Sequence, residues 1–297
     1  MRCQSPIAAL ALLAALLGAG RASAYCRSSV CPSDNGKTLH GKVCAPPQDD
    51  DCGTVLQWRQ PCINFAVEKS GSKKYAPVDV VAKQVKLSFA AWTSVDCGGG
   101  EHPRIEVEDF GTVSCARVEY NQHGGNANVI VFRDDSWPHS PEGVAMSDTI
   151  ALTTVTYDVV NGDIFDADME INSFNRTFTT TDTMVNTDLR SVLTHEAGHF
   201  LGLAHSNVTG TTMYPNYSTG SIALRKLKDD DQQAICNAYP PDREPKGTCD
   251  ALPRHGFSSE CLAAQTEGTC AVGAGAPGFS LTALLPALAL LGLRRRR

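Results

Sequence analysis

Two absences narrow the function before any motif is considered. The 297-residue chain has no CxxC pair among its 12 cysteines, which disfavours use of those residues in a zinc finger. Residues 1–24 and 271–297 contain no Asp or Glu, so all 32 acidic residues lie between these two segments. Without the six arginines of the two segments, the remainder has 20 basic residues and a formal net charge of −12. Such a surface keeps an exported protein soluble and argues against nucleic-acid partners.

The first 24 residues predict a secretory signal peptide. Arg2 precedes an apolar run over 7–17, and residues 22–24 read Ala-Ser-Ala, an A-x-A cleavage site. The apolar run is short for a membrane span. We therefore expect the mature protein to start at Tyr25, outside the cytoplasm.

The last residues predict a second targeting segment. Residues 271–293 are uncharged and are followed by four arginines, a pattern typical of a membrane stop with its basic side in the cytoplasm. Since it follows Cys270 and a stretch of Gly and Ala, segment 271–297 resembles MYXO-CTERM, the sorting signal of myxobacterial surface proteins. The resemblance implies cleavage near Cys270 and transfer to the cell surface. A permanent C-terminal anchor is the alternative. Whether this segment is a sorting signal or an anchor, we expect the protein to contact a membrane through it alone.

Cysteine content supports export. Ten cysteines lie outside the two targeting signals, and an even number in an exported chain predicts disulfides. We expect local pairs Cys97–Cys115 and Cys249–Cys261, with Cys236 joined to the N-terminal cluster.

The part between the two targeting segments divides into three regions. Residues 25–52 form a Cys-rich N-terminal segment, 53–240 one α+β domain, and 241–270 a polar, Cys-containing spacer.

One motif dominates the chain, HEAGHFLGLAH over residues 195–205. On a helix His195 and His199 lie one turn apart on the same face, where neutral imidazoles suit zinc. Glu196 is placed to take a proton from metal-bound water. Gly202 can enter a left-handed turn that ends the helix and brings His205 back as a third ligand. Three protein ligands with an open fourth position are typical of a catalytic zinc.

The run HExxHxxGxxH, followed after eight residues by Met213, is the metzincin signature with its Met-turn. Within the metzincins the chain resembles the matrixins, the matrix metalloproteinase type. Ser206 directly after the third histidine, the turn over 213–217 and the pair Asp230–Asp231 carry that resemblance. It is strong over 187–239 and weaker over 58–172. It implies an α+β catalytic domain with a twisted, mostly parallel sheet, one antiparallel edge strand and three helices.

Periodicity places the other elements. The predicted strands cover 58–67, 104–108, 128–132 and 151–157. After Asp79 as N-cap, apolar residues recur at helical spacing: Val81, Val85, Phe89 and Trp92. The active-site helix is expected to begin at the Thr187/Asp188 N-cap, with Leu189, Leu193, Ala197 and Leu201 on the face opposite His195 and His199. The last helix covers 228–239.

Residues 161–172 alternate acidic and apolar side chains, typical of a half-buried strand. We interpret the acidic face as solvated, with calcium on Asp163, Asp166, Asp168 or Glu170 as the alternative. Matrixins of mammals have a histidine in this strand that helps to hold a second, structural zinc. This chain has no such histidine, so one catalytic zinc is expected.

The site residues lead to a mechanism. His195, His199 and His205 hold Zn²⁺, and Glu196 acts as base and then as acid. Met213 forms the floor beneath the metal, while Pro215 and Tyr217 wall the pocket for the residue after the scissile bond. An extended protein or peptide substrate is expected to pair with the edge strand 151–156.

The expected function is therefore a secreted or surface-anchored, monomeric zinc endopeptidase. The matrixin latency motif PRCGxPD does not occur, so matrixin-type latency is not expected. Two other functions stay open. One is a zinc-binding surface or adhesion protein without turnover, against which the intact Glu196 argues, and the other is a zinc amidase acting on cell-wall peptide.

Overall fold

A computed structural model describes residues 25–29, 54–139 and 149–262. The predicted signal peptide, the C-terminal sorting segment and most of the Cys-rich segment lie outside these residues. Within the described part, no helix is long and apolar enough to span a membrane.

A five-stranded sheet forms the centre of the domain, with the strand order β2-β1-β3-β5-β4. The first four strands in this order run parallel, and β4 lies antiparallel to β5 at the edge. The strands are β1 Cys62–Glu68, β2 Glu106–Val113, β3 Val129–Phe132, β4 Ala151–Tyr157 and β5 Ile164–Ile171. Two short strands, β6 Phe178–Thr179 and β7 Thr187–Asp188, pair separately. The predicted sheet with one antiparallel edge is confirmed.

Three α-helices occur in the described residues: α1 Val78–Thr93, α2 Leu189–Phe200 and α3 Asp229–Ala238. The four predicted apolar positions of α1, from Val81 to Trp92, are all buried. The expected N-cap is wrong, because the helix begins at Val78, two residues earlier than predicted, and Pro77 occupies the cap. Asp79 lies instead in the first turn, where a negative charge interacts favourably with the helix dipole.

Helices α1 and α2 pack on one face of the sheet around large aromatic side chains. Phe89 stacks on Phe65 of β1 and meets Phe200 edge to face, while Trp58 stacks on Phe200. Trp58 and Trp92 are fully buried, and their indole N–H groups donate to carbonyls of α2. The active-site helix is therefore locked to the core from two sides.

The opposite face of the sheet has its own small apolar cluster: Ala66, Val113, Val129 and Val131. Phe257 packs against this cluster and meets Phe110 edge to face. The Asn64 side chain also donates to the carbonyl of Ala251. The described part of the predicted spacer, residues 241–262, is therefore not a free linker, and we name it the C-terminal strap.

Two disulfides attach this strap, and they correct the predicted pairing. Cys62 of β1 bonds to Cys249, and Cys115 bonds to Cys261. The predicted pairs Cys97–Cys115 and Cys249–Cys261 are wrong, because the fold brings together cysteines 187 and 146 residues apart instead. Cys236 of α3 bonds to Cys97, and not to the N-terminal cluster as expected.

Removal of the strap should destabilise the domain. A chain that ends at Pro240 loses the apolar cover of the second face and both long-range cross-links, each of which contributes about 2–5 kcal/mol in other proteins. Compared with a chain that ends at Leu262, we expect its melting temperature to fall by more than about 10 °C. Calorimetry of the two chains measures this, and Phe257→Ala in the longer chain separates the apolar cover from the disulfides. Equal melting temperatures would show that the strap is a spacer after all.

Candidate metal centre

The active-site helix begins where the sequence predicts. Asp188 is the N-cap of α2, and its side chain accepts a hydrogen bond from the backbone N–H of Ser191 at 2.8 Å. The carboxylate is fully buried and also receives two hydrogen bonds from Arg225, at 2.7 and 2.6 Å. Two kinds of donor therefore stabilise the charge on Asp188, and they hold the first turn of α2 in place.

The three predicted histidines converge on one point. The Nε2 atoms of His195 and His199 lie 3.2 Å apart, and each is 3.2 or 3.1 Å from Nε2 of His205. Nδ1 of His195 faces the carbonyl of Thr212 at 2.7 Å, and Nδ1 of His199 faces that of Leu203 at 2.9 Å. A carbonyl can only accept, so in both rings Nδ1 carries the proton and Nε2 offers its lone pair.

This donor set fits zinc. Zn–N bonds of about 2.0–2.1 Å in a tetrahedral site place two nitrogens about 3.3 Å apart. The observed separations of 3.1 and 3.2 Å match that spacing. The triad is therefore positioned to bind a metal ion without rearrangement.

Gly202 makes the third histidine available. Its φ of +83° is left-handed, and a Cβ at this position would lie 2.6 Å from the carbonyl oxygen of Leu56. Both the turn and the close approach therefore require glycine. The N–H of Gly202 donates to the carbonyl of His199, which ends α2 and directs the chain back towards the cluster.

Glu196 lies beside the triad and is 5% exposed. Burial raises the pKa of its carboxyl group, and a hydrogen bond from Thr153 offsets part of that rise. The Thr153 hydroxyl donates to Oε2 at 2.6 Å. Sequence reasoning missed Thr153, although a polar residue at an inward-facing position between Ala151 and Val155 was a signal.

The Met-turn is fastened to α3. Asp231 accepts hydrogen bonds from the backbone N–H groups of Thr212 and Met213, at 2.8 and 3.0 Å. Asp230 accepts one from the Ser206 hydroxyl at 2.7 Å. Both aspartates are buried, so they support the turn and are not members of a solvated charge run.

Gly198 is a second residue that sequence reasoning missed. It lies on α2 between the first two histidines, and a Cβ there would come within 2.3 Å of Met213 Sδ and 2.8 Å of Trp92 Cζ2. The side chain of Met213, 2% exposed, thus fills the space that the missing Cβ leaves. The sequence indicated this close packing only through the absence of a side chain between the two histidines.

A cleft of about 540 Å³ runs past the histidines. Its walls include β4 residues Ala151 to Thr153 on one side and the segment Tyr214 to Tyr217 on the other. The Tyr217 hydroxyl accepts from the N–H of Asp188 and donates to the carbonyl of Ser221, so the second wall is fixed to the N-terminus of α2. The structure therefore brings Pro215 and Tyr217 to the same cleft as the histidine triad.

The acidic strand β5 differs from the prediction. Asp166, Asp168 and Glu170 are buried, 1–2% exposed. The segment after β2 contacts this strand through the Glu119 N–H, which donates to Asp168, and the strap contacts it through Arg254, which lies over the Phe165 ring. The solvated interpretation is therefore wrong. Asp168 accepts from the N–H groups of Val129 and Glu119, at 2.7 and 3.1 Å.

The two oxygens of Glu170 each have a basic partner at 2.5 Å, Arg133 on one and His139 on the other. Asp163 lies 3.4 Å from the backbone N–H of Arg59. These carboxylates are engaged separately, and the metal-compatible clusters among the described residues do not include them. Calcium on Asp163, Asp166, Asp168 or Glu170 stays a prediction.

Asp166 and Asp168 instead form a buried acid pair. Burial and, to a smaller extent, the charge of nearby Glu119 raise the pKa of Asp166 to about 8. Burial likewise raises the pKa of Asp168, and the charge of Asp166 adds to that effect. At neutral pH the folded pair therefore retains a proton that an unfolded chain would release.

Comparisons with known proteins agree with this geometry. Residues 130–240 match the model of the family Peptidase_M10, described as Matrixin. Metalloendoproteinase 1-MMP of Arabidopsis thaliana is 26% identical over 198 residues, 66% of this chain and 47% of that protein. Neutrophil collagenase of Homo sapiens is 42% identical over 66 residues, 22% of this chain and 14% of that protein. Karilysin of Tannerella forsythia is 48% identical over 52 residues, 18% of this chain and 10% of that protein.

The fold and the histidine triad agree with these matches, so the chain is similar to the matrixin metalloproteases, most clearly over residues 130–240. The matched regions span less than half the length of each of these three relatives.

Addition of one methyl group to Gly198 should disturb the centre. In Gly198→Ala the new Cβ overlaps Met213 Sδ and Trp92, so we expect a loss of about 1–3 kcal/mol in unfolding free energy. Urea unfolding measures this. Met213→Ala removes one of the two clashing side chains, so the double variant should lose less than the two single losses added together. Strict additivity would show that the two residues do not compete for this space.

The acid pair predicts a pH dependence of stability. Because the folded pKa of Asp166 lies above its unfolded value, the stabilising effect of the bound proton is complete below about pH 4 and declines as the pH rises towards 8. Asp166→Asn should flatten that decline in urea unfolding between pH 5 and pH 8. The exposed Asp242→Asn is the control and should leave the slope unchanged. An unaltered slope in Asp166→Asn would contradict the raised pKa.

Proposed function

We propose that this protein is a zinc-dependent endopeptidase that hydrolyses peptide bonds in proteins. The observation that carries the proposal is the convergence of three histidine Nε2 atoms within 3.2 Å of one another, beside a buried carboxylate. The similarity to matrixin metalloproteases supports it.

His195, His199 and His205 would hold the ion, and the carbonyls of Thr212 and Leu203 orient two of these rings. When bound, zinc supplies a Lewis acid that polarises the scissile carbonyl and acidifies the attacking water. Glu196 accepts the proton of that water at its carboxylate and passes it to the nitrogen of the leaving amine. The buried side chain of Met213 fills the space beside Gly198 on the inner side of α2.

The substrate is expected to bind as an extended strand. Within the described residues, strand β4 is the last in the sheet and pairs with β5 on one side only, so its other edge offers main-chain groups to a peptide. Pro215 and Tyr217 form the opposite wall and would contact the residue after the scissile bond. We propose a protein or peptide substrate and a monomeric enzyme.

Export is proposed on the signals at the two ends of the chain and on the disulfides. Three cross-links join distant cysteines of the described part, and such bonds are typical of oxidising compartments. We propose that the enzyme is secreted or held at the cell surface, without matrixin-type latency. A cysteine sulfur from residues 25–52 bound to the metal would overturn the proposal on latency.

Cleavage of unfolded casein tests the proposed activity. Residues 25–262 should bind one zinc and cut casein, and a chelator should abolish cutting. Glu196→Ala should lower kcat at least about 1,000-fold while one zinc remains bound, because the variant loses the base and keeps the ligands.

The same assay decides between the alternatives. If the wild type cuts cell-wall peptide and not casein, the amidase function replaces the proposed one. If it binds zinc and cuts neither, a binding protein without turnover is supported.

A further inference from the structure

The residue that contacts the base carboxylate comes from the strand proposed to bind substrate. Thr153 lies on β4, and its side chain points inward, between Ala151 and Val155 in the alternation of buried positions. Its hydroxyl oxygen lies 2.6 Å from Glu196 Oε2 and 3.2 Å from the Glu196 carbonyl oxygen. A hydroxyl has one proton, so the shorter contact to the charged oxygen is the hydrogen bond that it makes.

Among the residues that the structure describes, the Thr153 hydroxyl is the donor that contacts the Glu196 carboxylate, so this contact controls the direction of that carboxylate. Glu196 is 5% exposed and Thr153 is 2% exposed, so water competes weakly for the bond. A threonine side chain has restricted χ1 rotation, which makes it a stiffer support than serine. Since the bond occupies Oε2, Oε1 is the oxygen left to face the cleft and take a proton.

We propose that Thr153 is a positioning residue, which fixes the Glu196 carboxylate and links its direction to the strand that binds substrate. The inference rests on the proposed peptidase function. Thr153 itself does not contact the reacting atoms in this scheme. It acts through Glu196, and its main chain belongs to the same strand edge as the peptide.

The purely structural alternative makes a different prediction. If the hydroxyl only needs a partner in the interior, its loss lowers stability and leaves turnover unchanged. A positioning role lowers kcat and leaves KM unchanged, because the peptide still pairs with the unaltered main chain of β4.

The test uses three variants of the full chain. Thr153→Val has the same shape without the hydroxyl, Thr153→Ser keeps the hydroxyl, and Ser88→Ala removes a buried hydroxyl of α1 that donates to the carbonyl of Gln84. We expect kcat of Thr153→Val on casein to fall about 10- to 100-fold, with KM and zinc content unchanged. Thr153→Ser should stay within about fivefold of the wild type. Ser88→Ala should change the melting temperature and not kcat.

A double variant tests the route of the effect. In a Glu196→Ala background, Thr153→Val should cause no further loss of the residual rate, because its effect passes through Glu196. A full, independent loss in that background would overturn the proposal, as would an unchanged kcat in Thr153→Val alone.

A crystal structure separates this inference from the proposed activity. In zinc-loaded Thr153→Val we expect the Glu196 carboxylate to rotate away from its wild-type position, and in Thr153→Ser to keep it. This readout needs no turnover. An unmoved carboxylate in Thr153→Val overturns the positioning role even if the protein cleaves casein, whereas absence of cleavage by the wild type counts only against the peptidase function.

Discussion

The left-handed turn at Gly202 is the constraint on which the site depends. With φ at +83° and the Leu56 carbonyl against its Cα, the turn ends α2 after His199 and returns His205 to the same point. The N-terminal segment also holds this turn. The Gly202 carbonyl accepts the N–H of Ser28, and the next residue, Leu203, forms a β-bridge with Arg27. The segment after the predicted signal peptide thus supports the chain that leads to the third histidine.

Support reaches the centre through backbone groups more than through contacts between side chains. Carbonyls of Thr212 and Leu203 orient two imidazoles, and Asp231 holds the N–H groups that precede the Met213 side chain. A backbone carbonyl cannot rotate away as a free side chain can, so the ligand nitrogens are preorganised for an ion. The spacing of 3.1–3.2 Å follows from this arrangement.

The active-site helix and its cap could be predicted from local pattern, and the sheet architecture was implied by the resemblance to the matrixins that the long histidine motif carries. The N-cap at Asp188 lies only a few residues before the histidine motif, so a short stretch of sequence contains both signals. The cysteine pairs could not be predicted from the sequence, because Cys62 lies next to Cys249 only when the sheet has formed and the strap crosses its second face. Thr153 and Gly198 were missed for a related reason: their partners, Glu196 and Met213, lie on other segments, and only packing brings them together.

The strap also explains why an acidic strand face became interior. Once residues 241–262 and the segment after β2 cover β5, each buried carboxyl group needs hydrogen-bond donors or has to keep a proton. Glu170 has Arg133 and His139 as partners, and Asp168 accepts two backbone N–H groups. Asp166 keeps a proton, with a pKa raised to about 8. The chain's own cations, N–H groups and one retained proton therefore compensate the buried acidic face of this strand.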